Sequence, residues 1–302
     1  MNQVPDTSPA SVPLHWRGTL ATLNRLPQGA LSRAFGWLAD RRIPSPLRGL
    51  VLGGFARTVG IRMDEAERPL RTYASVNELF VRRLRDGTRT WPSDPELLVS
   101  PVDGILGASG TMEDGTVLQA KGLSYRAADL LGSPEEARPF SGGRFLTLYL
   151  SPRHYHRIHT PIPGTVRSAR HVPGALLPVN GPAVARIERL FARNERLVAM
   201  LETALGRVAV VAVGAYNVGR ISTAFDPAWG GAERSWITNR TDPPPPERRY
   251  DPAIPLGAGD EIMAFHLGST VVLLTEPGVT LEPGLLPGTE VTVGTVLARS
   301  GS

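Results

Sequence analysis

The sequence predicts an α+β protein in which N-terminal amphipathic helices precede a mostly antiparallel β domain. Before residue 90, apolar residues recur at helical spacing and Arg occupies the other faces. Beyond residue 90 the chain changes to short β-rich segments separated by Gly and Pro. With 302 residues, 41% of them hydrophobic, the chain can bury a substantial core. We therefore predict a disordered leader at 1–13, a helical segment at 14–90 and a β-rich domain at 91–302.

The helical segment contains four predicted helices. Three follow apolar patterns at helical spacing, which are Trp16, Leu20 and Leu23; Leu31, Ala34, Phe35 and Leu38; and Leu47, Leu50, Val51 and Phe55. The fourth is predicted over 75–86, because Ser75 and Glu78 have the spacing of a capping box and Gly87 can end the helix.

The remainder of the chain reads mainly as strands. Short strands with Gly and Pro punctuation are predicted in segments 144–151, 207–223, 269–274 and 290–298. One amphipathic helix is predicted around 183–201. Segment 239–260 contains four consecutive prolines, which remove backbone donors and fix φ, so it is predicted to be a long surface loop.

Composition excludes several kinds of site. The chain has no Cys, which rules out disulfides, thiolate metal sites and a cysteine nucleophile. Lysine occurs once, at Lys121, so a lysine Schiff base has one available position. No apolar run approaches the roughly 18 residues of a membrane-spanning helix, which predicts a soluble or peripheral protein. The basic N-terminal half lacks a recognisable nucleic-acid motif, and no nucleic-acid partner is expected.

Two segments hold residues suited to acid and base chemistry. "YLSPRHYHRIHTP" (149–161) contains His154, His156 and His159, which could form a hydrogen-bonded structural cluster or a metal site. A metal is not predicted, because there is no H-E-x-x-H and no nearby carboxylate in register. Asp103 lies in a Pro-x-Asp-Gly turn, which taken alone is ordinary turn chemistry.

Together, Asp103, either His156 or His159, and Ser269 supply an acid, a base and a hydroxyl, which can activate a nucleophile. Ser269 opens a predicted strand and lacks the G-x-S-x-G context of an α/β hydrolase. The carbonyl of Gly268 suits it better as a target, because no Cβ crowds it. Attack would shift the acyl group from nitrogen to oxygen. Elimination would then free the upstream chain and convert the serine, through dehydroalanine, into a pyruvoyl group.

A pyruvoyl group is a built-in carbonyl cofactor. It forms a Schiff base with a substrate amine and accepts the electrons released when the α-carboxylate leaves, without pyridoxal phosphate or a lysine. Two rivals remain: a Ser-His-Asp hydrolase that acts on lipid esters without self-cleavage, and a non-enzymatic membrane-binding module.

Several segments, in order, resemble the signatures of bacterial phosphatidylserine decarboxylases. They are "PVDG" around Asp103, "QAKG" (119–122), the histidine segment, "VPGALLPVN" (172–180), "LFARNER" (190–196) and "LGST" (267–270). The resemblance runs from about residue 14 to the C-terminus. "LEPGLLPGTEVTVGTVLA" (281–298) also resembles the turns of a lipoyl-like barrel, but it has no modifiable lysine and is interpreted as architecture.

The resemblance implies self-cleavage between Gly268 and Ser269. The products would be a β chain (1–268) and an α chain (269–302) capped by the pyruvoyl group. By analogy Asp103 and His159 complete the self-cleavage triad with Ser269, and His156 takes part in decarboxylation. Phosphatidylserine would be converted to phosphatidylethanolamine and CO2. His154 departs from the family, which usually has aspartate or another polar residue there.

The resemblance also implies partners and a location. The β/α heterodimer would dimerise further, as a peripheral protein on the cytoplasmic face of the bacterial inner membrane. Arg-rich helices that carry Trp16, Phe35 and Trp37 suit an anionic membrane surface. The alternative is a helical layer packed on the β domain.

Overall fold

A computed structural model describes residues 28–92, 94–216, 220–231, 236–266 and 270–301 of the chain. The leader, the helix predicted around Trp16, and the residues Gly268 and Ser269 lie outside the described residues.

The described chain contains seven α-helices and sixteen strands. The helices are α1 (Gln28–Asp40), α2 (Ser45–Val59), α3 (Val76–Phe80), α4 (Ala127–Leu131), α5 (Pro134–Ala137), α6 (Gly181–Val184) and α7 (Leu190–Arg193). The first eight strands are β1 (Leu97–Val99), β2 (Gly104–Thr111), β3 (Thr116–Ala120), β4 (Leu123–Arg126), β5 (Arg144–Tyr149), β6 (Arg157–His159), β7 (Gly164–Val172) and β8 (Arg196–Thr203). The others are β9 (Gly206–Val213), β10 (Ile221–Thr223), β11 (Glu247–Leu256), β12 (Glu261–Phe265), β13 (Thr270–Thr275), β14 (Val279–Leu281), β15 (Glu290–Val291) and β16 (Val296–Ser300).

An eight-stranded antiparallel sheet forms the centre of the molecule, in the order β11-β7-β8-β9-β13-β5-β2-β15. Two three-stranded sheets, β10-β12-β6 and β1-β16-β14, and the hairpin β3-β4 complete the β structure. The ladders are antiparallel, as the sequence predicts. The predicted α+β class is confirmed.

The central sheet is buried on both faces, because successive side chains of its strands enter two different cores. In β13, Val271 and Leu273 belong to one core, and Val272 and Leu274 to the other. The first core also includes residues of the two small sheets, and the second includes residues of α4, α6 and α7. The middle strands β9 and β13 are therefore nearly continuous apolar runs instead of alternating ones.

The capped helix is shorter than predicted. The Ser75 hydroxyl accepts a hydrogen bond from the Glu78 amide at 3.1 Å, and the Glu78 carboxylate accepts one from the Ala74 amide at 2.6 Å. The cap is thus confirmed, but α3 ends at Phe80, and the prediction of helix to residue 86 is wrong. The segment after Phe80 packs along the β domain, where the Val81 carbonyl accepts a hydrogen bond from Arg157 at 2.8 Å.

Helices α1 and α2 confirm two predicted patterns but expose most of the apolar side chains in them. Of eight large apolar side chains that the described residues expose, six lie on these helices; they are Phe35, Trp37, Leu38, Leu47, Leu50 and Val51. Among the α1 positions whose burial the structure describes, the buried ones are the small residues Ser32, Gly36 and Ala39. Among the described residues, no helix combines the length and apolar character needed to cross a bilayer.

The prediction of one amphipathic helix over 183–201 is wrong. The segment holds the end of α6, the short helix α7 and the start of β8. Strand β8 pairs with β7 on one side and β9 on the other, and its first six residues are all buried. In a short apolar run, the spacing typical of a helix cannot be distinguished from the pattern of a fully buried strand. Here the pairing with β7 and β9 makes the segment a strand.

The prediction of a long loop over 239–260 is also wrong in part. The segment from Glu247 to Leu256 is β11, which pairs only with β7 at the edge of the central sheet. Its register shifts between Arg249 and Ile254, so Pro252 lies in the irregular part of the ladder. An edge strand tolerates proline because one row of its donors faces away from the sheet.

Candidate active site

The described strands on either side of the predicted cleavage site belong to two different sheets. Phe265 ends β12, and its amide donates a hydrogen bond to the His156 carbonyl at 2.9 Å. Thr270 begins β13 in the central sheet, where it faces Tyr149 on β5. Tyr149 also pairs with Ile105 on β2, so Thr270 and Ile105 are two strand spacings apart, about 10 Å. The sheets thus bring the described residues that flank 268 and 269 close to the Asp103 turn and the histidine segment.

Asp103 lies in the turn between β1 and β2, as predicted, and it is held tightly. Its Oδ1 accepts hydrogen bonds from Arg89 Nε at 3.0 Å and from the Val293 amide at 2.9 Å, and Arg89 Nη2 binds its Oδ2. Arg89 also binds Glu65 at 2.9 Å. The side chains of Asp103 and Arg89 are 6% and 7% exposed, so this is a buried ion pair. Among the described residues, the partners of the Asp103 carboxylate do not include a histidine.

His159 is oriented by other groups. Its Nδ1 lies 2.7 Å from the Gly259 carbonyl, which can only accept, so Nδ1 carries the proton. Nε2 then accepts a hydrogen bond from the Tyr155 hydroxyl at 3.0 Å. The Tyr155 ring stacks on the imidazole at 5.5 Å, and Trp91 is 5.6 Å away on a tilted ring. Burial lowers the pKa of His159, although the Gly259 carbonyl opposes this shift.

His156 is fully buried, and neither of its ring nitrogens has a hydrogen-bond partner among the described residues. Its ring packs on Phe80 with 3.9 Å between centroids. Burial lowers the pKa of His156 well below its usual value, and the charge of Arg82 lowers it further. A buried polar group normally has a partner, so these two nitrogens indicate a place where another polar group binds.

His154 and His266 lie at the edges of this region. His154 Nδ1 accepts from the Ser151 amide at 3.0 Å, and its Nε2 is 3.5 Å from the Glu290 carboxylate. His154 borders the same cavity as Asp103. His266, which ends the described chain before residue 267, lies 3.0 Å from the Ser222 hydroxyl through Nε2. Burial lowers the pKa of His266 to about 4, with a smaller contribution from Arg220.

The three predicted side chains that the structure describes are thus brought to one region, but not into one hydrogen-bonded chain. Asp103 borders one cavity, and His159 borders a neighbouring one. Arg89 connects the two, because it borders the cavity of His159 and its guanidinium binds Asp103. Gly268 and Ser269 lie outside the described residues. The described residues contain no group of three His, Asp or Glu side chains suited to hold a metal.

Sequence reasoning missed four residues of this region: Arg82, Arg89, Tyr155 and Gly259. Tyr155 stands inside the histidine segment, so its position was a usable signal. Nothing in the sequence distinguishes Arg82 and Arg89 from the other arginines before residue 90, or Gly259 from nearby Gly257. The reason is that these three residues contact partners that are distant in the chain.

Comparison with known proteins gives a consistent result. The phosphatidylserine decarboxylase family model matches residues 76–299. A phosphatidylserine decarboxylase proenzyme of Anaeromyxobacter sp. is 45% identical over 276 residues, which cover 91% of this chain and 95% of the relative. Proenzymes of the same description from Halorhodospira halophila and Myxococcus xanthus are 42% and 40% identical, over 95% and 83% of this chain and 92% and 87% of those relatives. The resemblance in the signature segments is confirmed, and the chain belongs to the phosphatidylserine decarboxylase family, a family of carboxy-lyases.

Proposed function

We propose that the chain is a self-processing enzyme that converts phosphatidylserine to phosphatidylethanolamine and CO2. It is cleaved between Gly268 and Ser269, and Ser269 becomes a pyruvoyl group. Membership of a family whose relatives are described as proenzymes supports this activity. The observation that supports this cleavage site concerns the described residues on either side of it: Phe265 binds the backbone of the histidine segment, and Thr270 begins a strand of the central sheet.

In the proposed processing reaction, the Ser269 hydroxyl adds to the Gly268 carbonyl. The peptide C–N bond breaks as an ester C–O bond forms. Loss of the Ser269 α-proton and of the ester oxygen frees the β chain as a carboxylate and leaves dehydroalanine. Water then replaces the nitrogen, which departs as ammonia, and the pyruvoyl group remains.

His159 is the proposed base of this reaction. The Gly259 carbonyl holds its proton at Nδ1, so the lone pair is on Nε2. In this structure it accepts the Tyr155 hydroxyl, and it can take the serine proton once the serine hydroxyl replaces that donor. Burial lowers the pKa of His159 and keeps the ring neutral at physiological pH, whereas the charge of Asp103 raises that pKa and favours the imidazolium that forms. Asp103 therefore acts in this proposal through its charge.

The residues around His156 fit a polar prosthetic group. The two unpartnered nitrogens of His156 and the buried, unpartnered Thr270 hydroxyl offer hydrogen bonds that no described residue takes up. A pyruvoyl group supplies a carbonyl that accepts the electrons of the bond to the leaving carboxylate. His156 is proposed to act in decarboxylation. The burial that keeps it neutral also excludes water, which favours conversion of a charged carboxylate into neutral CO2.

Intact-mass measurement of the full chain tests the proposal. We expect two polypeptides with the masses of 1–268 and a pyruvoyl-capped 269–302, the smaller without a free amino terminus. Ser269→Ala should remain one chain and form no phosphatidylethanolamine, whereas Ser124→Ala, an exposed serine on β4, should behave as wild type. An active, unbroken chain that an organophosphonate labels at Ser269 would instead establish the hydrolase.

We also propose that α1 and α2 dock on an anionic membrane surface. They carry six of the eight large apolar side chains that the described residues expose. The stretch 28–60 holds five Arg against one Asp, and the Arg41 guanidinium lies 3.7 Å above the Trp37 ring. Apolar side chains among arginines are typical of helices that lie at anionic interfaces. Location on the cytoplasmic face and dimerisation of the β/α heterodimer stay predictions.

A further inference from the structure

Arg82 is a buried cation whose hydrogen bonds are incomplete. It is 3% exposed, and Nε and Nη1 have no partner among the described residues. Its Nη2 reaches two backbone carbonyls, those of Arg153 and His154, at 3.3 and 3.5 Å. Arg196, buried to the same degree, uses Nε, Nη1 and Nη2 to bind carbonyl oxygens. Unlike Arg196, then, Arg82 has two donors left for another group.

Arg82 is one of the residues that line a cavity of about 200 Å³ next to the proposed active site. Two other arginines line it, and each has a carboxylate partner: Arg62 binds Glu65 at 3.0 Å, and Arg153 binds Glu290 at 3.1 Å. Within the described residues, Arg82 has no carboxylate partner. A guanidinium left in this state loses its hydration without compensation, so the cavity favours an anion with oxygen acceptors.

Arg82 is also close to the reacting region. It follows Phe80, whose ring packs on His156, and its Nη2 contacts the backbone two and three residues before His156. The charge of Arg82 lowers the pKa of His156. A substrate whose amine and α-carbon react beside His156 would therefore bring its nearby groups to Arg82.

Phosphatidylserine carries two anions, and the chemistry distinguishes them. The carboxylate must leave as neutral CO2, so a cation that binds it stabilises the ground state and opposes the reaction. The phosphodiester is three covalent bonds from the α-carbon and keeps its charge throughout. An arginine that binds the phosphodiester therefore holds the substrate without raising the barrier, and its planar donors match two phosphate oxygens.

Resting on the proposed function for the choice of substrate, we propose that Arg82 binds the phosphodiester of the phosphatidylserine headgroup through its guanidinium group. The phosphate lies in the cavity bordered by Asp103 and His154, and the α-carbon points towards His156. Arg82 is then a specificity-determining residue for phospholipid over free amino acid.

Binding to the unprocessed Ser269→Ala chain tests this assignment independently of cleavage and catalysis. The probes are glycerophosphoserine and O-methyl-L-serine, which share the amine and carboxylate and differ in the phosphate, titrated by NMR. We expect Arg82→Gln in this background to weaken the binding of glycerophosphoserine about 10- to 100-fold, because one or two charge-assisted hydrogen bonds are lost. The affinity for O-methyl-L-serine should not change. Arg167→Gln, which removes an exposed ion pair with Glu202 outside this cavity, should change neither affinity by more than about twofold.

Other outcomes would overturn the assignment. Equal binding of glycerophosphoserine with and without Arg82→Gln would exclude it, and selective weakening of O-methyl-L-serine would assign Arg82 to the carboxylate. Inorganic phosphate that binds as tightly as glycerophosphoserine would make the site one for free anions. Should Arg82→Gln fail to fold, Arg82→Lys, which keeps the charge without the planar donors, should give a smaller weakening of the same probe.

A second readout uses the chain that retains Ser269. Arg82→Gln should still separate into two chains and lose decarboxylation mainly through a higher KM, because the phosphate contact is the same in the ground and transition states. A wild-type protein that is never cleaved into two chains would refute the processing proposal. The binding comparison would still decide the role of Arg82. Loss of cleavage in Arg82→Gln with unchanged headgroup binding would refute the inference and leave the processing proposal standing.

Discussion

At the scale of single residues, the site is organised by groups that neutralise or orient the predicted ones. Asp103 is neutralised by Arg89 and does not contact His159, while Gly259 and Tyr155 set the tautomer of His159. The members of the three-residue arrangement inferred from the sequence that the structure describes thus have contacts with further residues, and each contact makes a separate prediction.

Arg89→Gln should destabilise the protein by about 3–5 kcal/mol, because it leaves the buried Asp103 carboxylate without its cation. Denaturant unfolding measures this free energy. Arg62→Gln is a matched control, since Arg62 binds Glu65 as Arg89 does but has a side chain that is 59% exposed. It should cost less than about 1 kcal/mol. Equal losses in the two variants would show that burial of the Arg89 pair is unimportant.

The rate of self-cleavage should depend on the pKa of His159. Because burial lowers this pKa from its usual 6.5, the neutral base persists below pH 6.5, and the rate should fall only at more acidic pH. Tyr155→Phe removes the donor to Nε2 that favours the neutral ring. Its pH profile should therefore move towards higher pH. A profile that moves the other way, or a wild-type midpoint above 6.5, would contradict this role of His159.

At the scale of elements, the turn between β11 and β12 places the carbonyl that orients His159. Gly259 has φ +76°, and a Cβ there would lie 2.5 Å from the Trp91 ring. Gly259→Ala should therefore cost about 1–3 kcal/mol and slow cleavage, because the carbonyl must shift. Gly257→Ala is the control in the same turn, since its Cβ would meet Asp260 at an ordinary 3.4 Å. Mass spectrometry of the cleavage time course compares them, and similar rates would remove Gly259 from the site.

The helices α1 and α2 make a prediction about membranes. Leu50→Glu, at a side chain that is 77% exposed, should reduce binding to vesicles that contain anionic lipid by about tenfold, because a charge replaces an inserted apolar group. Leu286→Glu is the matched control, since Leu286 is 67% exposed but belongs to the β domain. Flotation of the full chain with vesicles measures both. Equal loss in both variants, or none in Leu50→Glu, would favour the helical layer as a purely structural element.

At the scale of the whole molecule, buried neutral histidines couple stability to pH. The folded-state pKa values of His154, His156, His159 and His266 are all lowered. The unfolded chain therefore binds protons near pH 6.5 that the folded chain rejects. The contribution of these histidines to the free energy of unfolding is fully present above pH 6.5. It is lost as the pH falls towards their lowered pKa values, which for His266 is about 4.

The free energy of unfolding should accordingly fall between pH 7 and 5, and each histidine that titrates only in the unfolded chain adds about 1.4 kcal/mol per pH unit below 6.5. Denaturant titrations across this range measure the slope. His266→Gln removes one such group and should make the slope shallower by up to that amount. An unchanged slope would show that His266 is protonated in the folded protein.

Much of this molecule could be predicted from adjacent residues. Some features depend only on neighbours a few positions apart in the chain: the Ser75 cap, the Asp103 turn, the strands β5, β9 and β13, and the signature segments. The sequence alone therefore determined them, together with the α+β class and the family. Tertiary structure decided the rest. Residues 196–203 are a strand because β7 and β9 pair with them, and β11 is a strand because β7 accepts it at an edge. Likewise Arg89, Gly259 and Arg82 acquire their contacts from partners that only folding brings near. Such contacts join residues far apart in the chain, and a local pattern carries no record of them.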